Sequence, residues 1–410
     1  MAIVMLRGTT MGTRLLVLFI IARFASPAEF GVISFALAVA EIVKGMADFG
    51  VDTFAIRELA LREGEQQEIF ASIAAATKLF TGLIAYPLLV LFFLLQNKSH
   101  VQLGAELGLL VLTGLWCNMY IDYFQARLRV REIVAPVIVN NVATVIVAAA
   151  VFWIKPTVNA GVLILPLSEA FNAWVLSRQF NRELLLARQY VSFREVRLLL
   201  RRSMPIAGTL IISMVYTRLD VFALTVFLDA TIVGYYGVAF RLTEPFQLLA
   251  IAFASSSYSY LSLALANNRQ DISRLVIRYS LGMLGYGLVS CALLAVLAPY
   301  VIQRVLPNYV PAIPILRVLA AAIVFRAVNG YLTSVLHAYG YFARVTAVAT
   351  WNLLVIVVAL LALVPPWGAI GAALSLLIGE MINTIIQASM ARRALWGGVT
   401  KVQPMEIGSA

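Results

Sequence analysis

Arg7, Thr10 and Arg14 stand at i, i+3 and i+7 in one long apolar run. On a helix that spacing puts both guanidiniums on one face. Arg218 and Asp220 interrupt a later apolar run, and Arg241 and Glu244 interrupt the next. Ionised side chains near a bilayer centre cost at least about 2.5–3.5 kcal/mol each, so each needs an internal partner or water. Arginines gathered in a dry cavity are receptors for oxyanions, because the planar guanidinium fork matches phosphate oxygens. Arg14, Arg218 and Arg241 are therefore the candidate substrate-binding residues. Buried carboxyls offer a second chemistry: burial favours the neutral form, so such a group can take up and return a proton. The acids placed for this coupling role are Glu41, Glu169, Asp220, Glu244 and Glu380, with Asp48, Asp52 and Asp122 also in or near the runs.

Each candidate has a plainer structural counterpart. Arg7 reads as snorkelling to the surface, and Asp48 and Asp52 as caps or water-facing groups. Arg241 and Glu244, at i and i+3, can pair on one helix face, and Pro245 after them should bend or loosen the helix. Arg218 and Asp220 are two apart and face nearly opposite ways, so each calls for a partner on another helix. Glu169 and Glu380 read better as packed, hydrogen-bonded side chains than as proton carriers.

The elements that carry these residues follow from composition. Of 410 residues, 62% are hydrophobic and 12% charged, the latter about half the share of a soluble protein. Mean hydropathy is +0.91. So few charges cannot cover the exterior of a water-soluble fold. A cytosolic enzyme, a nucleic-acid-binding domain and a disordered scaffold are excluded. A helical span takes about 20 apolar residues, so the apolar content fills about twelve spans and leaves no material for a large soluble domain. Apolar runs and breakers place them at Ala2–Phe24, Phe30–Phe49, Ile69–Leu95, Val101–Phe124, Ile133–Ile154 and Asn159–Phe180. The second six are Met204–Phe227, Thr231–Ser255, Ile272–Ala298, Ile313–Leu336, Ala343–Leu363 and Ala369–Met390. Helices satisfy the backbone hydrogen bonds of each span internally. The expectation is an all-α polytopic membrane protein.

The net charge of +11 would suggest nucleic acid in a soluble protein; here it reads as the positive-inside bias of a membrane protein. One set of alternate loops holds 19 Lys and Arg, from Arg57, Arg62, Arg127, Arg129 and Arg131 to Arg392, Arg393 and Lys401. The opposite loops hold 4: Arg23, Lys98, Lys155 and Arg304. The asymmetry puts both termini in the cytoplasm, together with the connector Ser177–Ser203. That connector, with basic residues from Arg194 to Arg202, reads as an amphipathic tether on the membrane surface. The first apolar run contains Arg7 and Arg14 and no small-residue cleavage site, so it does not read as a cleavable signal peptide.

The chain also repeats itself. Thr13-Arg14-Leu15 recurs as Thr217-Arg218-Leu219, and Gly31 and Glu41 keep the spacing of Gly234 and Glu244. Gln125-Ala126 with Asn140 matches His337-Ala338 with Asn352, and Glu169-x-x-Asn172 matches Glu380-x-x-Asn383. The copies are offset by 203 to 212 residues. A unit of six spans starts each copy on the same side, so the halves form a parallel repeat. The organisation is an N-terminal six-helix lobe at 1–180, a connector at 181–202 and a C-terminal six-helix lobe at 203–410. Transporters built this way bind substrate between the halves.

Other chemistries lack their residues. No P-loop motif occurs, and Cys117 and Cys291 sit inside apolar runs as core residues. His100 and His337 are too far apart in sequence to make a zinc site by themselves. No cofactor and no metal are expected.

The quoted residues resemble the polysaccharide (O-antigen repeat-unit) flippases of the multidrug/oligosaccharidyl-lipid/polysaccharide exporter superfamily. The likeness lies in R-L-L-V-L-F-I-I-A-R-F from Arg14, P-A-E-F-G, A-D-F-G and A-I-R-E-L-A, then T-R-L-D and V-G-Y-Y-G-V-A-F-R-L. It implies two six-helix lobes around a cationic cavity, alternating access, and no enzymatic activity. The implied substrate is an undecaprenyl-pyrophosphate-linked oligosaccharide, exported across the bacterial inner membrane for surface polysaccharide. The implied partners are that substrate, membrane lipids, a coupling H+ or Na+ in antiport, and polysaccharide polymerase machinery, with no nucleic acid. The cavity is matched to Arg14, Arg218 and Arg241. Two alternatives stay open. A cation-coupled multidrug exporter of the same superfamily would line its cavity with acids. An integral-membrane glycan polymerase or ligase would need a sizeable external loop with catalytic charges, and no such loop is visible.

The charge count generates a test of topology. Single cysteines at Gln96 and Gln189 in a Cys-free background should label differently in intact spheroplasts. An impermeant thiol reagent should reach position 96 and leave position 189 unlabelled; labelling at 189 would overturn the orientation.

Overall fold

The computed structural model describes residues 2–96, 100–154, 158–185, 191–266 and 271–396. Lys98, Lys155, Arg188, Gln189, Arg269 and Lys401 lie outside the described residues, as does the side chain of Arg182. The described residues are helical apart from short turns. They fall into two compact units, Met1–Phe222 and Ala223–Ala410. The first unit holds α1 (Ala2–Phe24), α2 (Pro27–Asp48), α3 (Val51–Ala60), α4 (Gly64–Gln96) and α5 (Val101–Ala126). It continues with α6 (Arg131–Ile154), α7 (Val158–Leu185) and most of α8 (Phe193–Phe227). The second holds α9 (Ala230–Ala266), α10 (Ile272–Val305), α11 (Ala312–Ala338) and α12 (Phe342–Trp396).

Every expected span falls on one of these helices. Among the described residues, nine helices are long and apolar enough to cross a membrane. The longest of them, α12, carries the last two spans. Its regular path breaks at Gly368, with φ 56° and ψ −135°, a conformation open to glycine and strained for other residues. The seventh and eighth spans lie on α8 and α9. Large apolar side chains such as Leu83, Leu88, Ile146, Leu288, Val296 and Val358 are exposed, as an outer surface solvated by lipid requires.

Local chemistry explains where α2 begins and ends. Ser26 and Glu29 form a capping box: Glu29 N–H donates to Ser26 Oγ at 3.2 Å, and Ser26 N–H to Glu29 Oε2 at 2.8 Å. Pro27 fills the first helical position, where its missing N–H costs nothing. The helix stops where Phe49 and Gly50 turn left-handed, with φ of 50° and 74°. A Cβ at Gly50 would also come within 2.9 Å of the Ala207 backbone nitrogen, so α8 approaches this turn closely. Along α2 the stretch from Phe35 to Ala40 is buried throughout. Its alanines let neighbouring helices pack close. Glu41 and Lys44 follow directly.

α8 begins at Phe193, so the basic stretch from Arg194 to Arg202 continues the seventh span as its first turns. Val196, Leu199 and Ser203 are buried, while Arg194, Arg197, Arg201 and Arg202 are exposed. Leu199 packs into an apolar core with Val51, Ala55, Phe70 and Tyr123.

A polar contact ties the ends of α2, α3 and α5 to α4. Lys78 of α4 is only 2% exposed. Its ammonium pairs with Asp122 Oδ2 of α5 at 2.6 Å and with Asp52 of α3. Asn118 Nδ2 donates to Asp52 Oδ2 at 3.2 Å, and the Asp52 N–H donates to Asp48 Oδ1 at 3.3 Å. Burial raises the Asp52 carboxyl, but the Lys78 charge beside it outweighs this and holds it below the usual carboxylate range. Asp48 does cap, as expected, yet it is buried and does not face water. Removing one member of such a cluster leaves uncompensated buried charge, at a cost of about 3–5 kcal/mol. Lys78→Met should therefore markedly lower the melting temperature of the detergent-solubilised protein, and a Lys78→Met/Asp52→Asn double variant should recover part of the loss. An unchanged melting curve for Lys78→Met would remove this cluster from the account of the fold.

Candidate functional site

Glu41 lies at the inner end of the buried stretch of α2 and is bridged by two arginines. Arg14 Nη2 of α1 donates to Glu41 Oε1 at 2.6 Å, and Arg218 of α8 pairs with the other carboxylate oxygen. The sequence repeat matches Arg14 with Arg218, and the fold brings both to one acid in the first unit. Arg218 thereby finds the partner on another helix that its spacing from Asp220 demanded. Asp220 Oδ1 accepts the Val221 N–H at 2.8 Å. The Nε of Arg14 is buried and has no hydrogen-bond partner among the described residues. Buried donors are seldom left so.

Two cavities of the first unit meet this group. One, of about 440 Å³, is lined by Arg7, Glu41, Lys44, Asp48, Asn118 and Arg218, among others. A smaller one, of about 70 Å³, is lined by Arg14, Glu41, Lys44, Asn141, Ser168 and Glu169, among others. Arg7 is exposed yet borders the larger cavity. Thr10, on its face of α1, accepts from Asn141 Nδ2 at 3.3 Å. Of the face shared by Arg7, Thr10 and Arg14, Thr10 and Arg14 are half-buried and Arg7 is exposed.

Arg241 and Glu380 belong to the second unit. Arg241 Nη1 donates to Glu244 Oε1 on its own helix at 2.7 Å, the i, i+3 pair expected, and α9 runs on through Pro245. Glu380 is 3% exposed and fully engaged. Arg326 Nε donates to its Oε1 at 2.8 Å and Asn329 Nδ2 to its Oε2 at 2.6 Å. Arg326 Nη1 also donates to Gln247 Oε1 at 2.9 Å. Glu169 is half-buried in the wall of the small cavity. Sequence reasoning passed over Lys44, Lys78, Arg326 and Asn329. Three of these are bases inside apolar runs, so the criterion that found Arg14 reaches them too.

Residues 1–265 match the family model described as polysaccharide biosynthesis protein. No curated protein matches the chain significantly. Solved structures match it along nearly its whole length. An inward-facing multidrug resistance MATE family transporter of the MOP superfamily aligns with a TM-score of 0.75 at 15% identity, covering 97% of this chain and 98% of that one. Lipid II flippase MurJ, in an inward closed conformation, aligns at 0.74 and 14% identity, covering 94% and 87%. A MOP superfamily transporter from Pyrococcus furiosus, described as having a binding pocket of reverse polarity, aligns at 0.66 and 16% identity, covering 96% and 94%. At these identities the structural likeness establishes the fold. The family match covers well over half of the chain: this multi-pass membrane protein has the fold of the MOP-superfamily transporters and belongs to the polysaccharide biosynthesis protein family.

Proposed function

We propose that this chain is a flippase for an oligosaccharide carried on undecaprenyl pyrophosphate. It works by alternating access in the bacterial inner membrane, with both termini cytoplasmic, and serves surface polysaccharide of the O-antigen type. The lobes of the cycle are 1–180 and 203–410. The observation that carries this reading is the bridging of Glu41 by Arg14 and Arg218. A carboxylate held by two guanidiniums beside a cavity is an internal stand-in for an oxyanion. A pyrophosphate entering the cavity competes for the same forks, and the unfilled Nε of Arg14 offers it one more donor. Pyrophosphate carries at least two negative charges, and clustered cations offset their desolvation in a low-dielectric site. Arg241, paired with Glu244 on its own helix, is the substrate-binding candidate carried by the second unit. The polymerase machinery that consumes the exported unit is the implied downstream partner.

The coupling cation, H+ or Na+, needs a carboxyl that is not already committed. Glu380 is held by Arg326 and Asn329. Glu169 forms no ion pair among the described residues and faces a cavity, which favours it as the carrier. The multidrug-export reading requires acids free to meet a cationic drug. Here Glu41 is bridged by two arginines, and Asp52 and Asp122 share Lys78; Glu169, without an ion pair among the described residues, lines its cavity together with Arg14 and Lys44. The polymerase reading gains no support from these contacts.

In a flippase-deficient strain the wild-type chain should restore surface glycan. Arg14→Ala and Arg218→Ala should each reach the membrane at normal abundance and lose export at least about tenfold, with Lys rescuing only partly because it lacks the fork. If the arginines merely neutralise Glu41, an Arg218→Ala/Glu41→Ala double variant will regain export, and that result would defeat the reading. For coupling, Glu169→Gln should flatten the dependence of transport on a pH gradient while Glu380→Gln retains it. The opposite pattern would reassign the carrier.

A further inference from the structure

The two repeats place their buried charges on different helices. With the register set by Glu41 and Glu244, Lys44 of α2 matches Gln247 of α9. With the register set by Gln125-Ala126 and His337-Ala338, Gly114 of α5 matches Arg326 of α11. Glu169 matches Glu380. In the second unit the cation comes from α11, and Arg326 is fixed by its bonds to Glu380 and Gln247. In the first unit α5 has no side chain at that place, and the ammonium end of Lys44 lies against it. A Cβ on Gly114 would lie 2.6 Å from Lys44 Nζ and 3.1 Å from its Cε. The exchange conserves a cation near the buried Glu but changes its state. Arg326 is closed onto its acid. Lys44 is half-buried, makes no ion pair among the described residues, and lines both cavities beside Glu41.

An ammonium on a flexible four-carbon stem, without a carboxylate partner in an apolar bundle, is costly unless something anionic comes to it. Arg14 and Arg218 are already engaged by Glu41. Lys44 is not. We infer that Lys44 is a third oxyanion ligand of the Arg14–Glu41–Arg218 site, left free for the substrate because α5 carries Gly114 where α11 carries Arg326. This rests on the proposed function, and it adds the residue that meets the oxyanion before the arginines exchange Glu41 for it. The competing account makes Lys44 a distant neutraliser of Glu169, with no part in binding.

Copying the second unit into the first separates the two accounts. Lys44→Gln/Gly114→Arg keeps the net charge and supplies a cation to Glu169 from α5, as Arg326 does for Glu380. The probe is farnesyl pyrophosphate, titrated calorimetrically into the purified full chain in detergent, with melting curves recorded for every variant. We expect wild type to bind, Lys44→Arg to stay within about threefold, and Lys44→Gln to bind about tenfold more weakly. The double variant should melt near wild type and still bind about tenfold more weakly. Wild-type affinity in the double variant, or in Lys44→Gln, would overturn the inference; the single variant carries the test if the double does not fold. Loss of binding in Arg218→Ala alone would then leave the proposed function standing. Absence of binding by wild type itself would remove both.

Discussion

The carboxylate of Glu41 takes one arginine on each oxygen inside an apolar bundle. The constraint behind it is desolvation. A guanidinium or carboxylate within a membrane-spanning helix must find its counter-charge on another helix, on its own next turn, or in a ligand. α2 meets the first option by following a buried stretch in which every second residue is alanine with Glu41, and α1 and α8 both reach the acid. A three-membered group has one more cation than anion. We propose that this surplus receives the substrate's oxyanion.

The repeats show how freely such charges move in sequence while the pairing rule stays fixed. Glu244 is satisfied by Arg241 one turn earlier on the same helix. Its counterpart Glu41 has Ala38 at that place and draws its partners from α1 and α8 instead. Glu380 is met by Arg326, whereas the position matched to Arg326 is Gly114. Glu244 and Glu380 are thus each closed by an arginine of the second unit, whereas in the first unit Lys44 and Glu169 line cavities and form no ion pair among the described residues. Binding and switching belong where the pairs are incomplete, because a fully satisfied buried network resists change.

Hydropathy made the spans legible, since one helix crossing a bilayer needs a run of fixed length whatever its neighbours are. Two of the motifs quoted for the family resemblance also have local physical causes. P-A-E-F-G supplies the first helical proline, Pro27, and the glutamate of the Ser26–Glu29 capping box, and A-D-F-G ends in the left-handed turn that stops α2. The pair Arg241–Glu244 was readable from spacing alone. The bridging of Glu41 was not, because nothing in a linear pattern says which of several acids a helix will present to Arg14 and Arg218. Lys78 and Arg326 were legible as lone bases in apolar runs, but their partners, which lie on other elements, were not. Gly114 carried no signal until the register of the repeat set it beside Arg326.

The central claim is that Glu41 occupies, in the resting protein, the place of the substrate's oxyanion. Glu41→Gln tests it most directly, since the neutral amide frees both arginines without changing shape. Binding of undecaprenyl pyrophosphate to the variant in nanodiscs should be tighter than to wild type, by about tenfold for the loss of one internal competitor. Binding as weak as in Arg218→Ala would instead show that the carboxylate only holds the arginines in place, and would contradict the account.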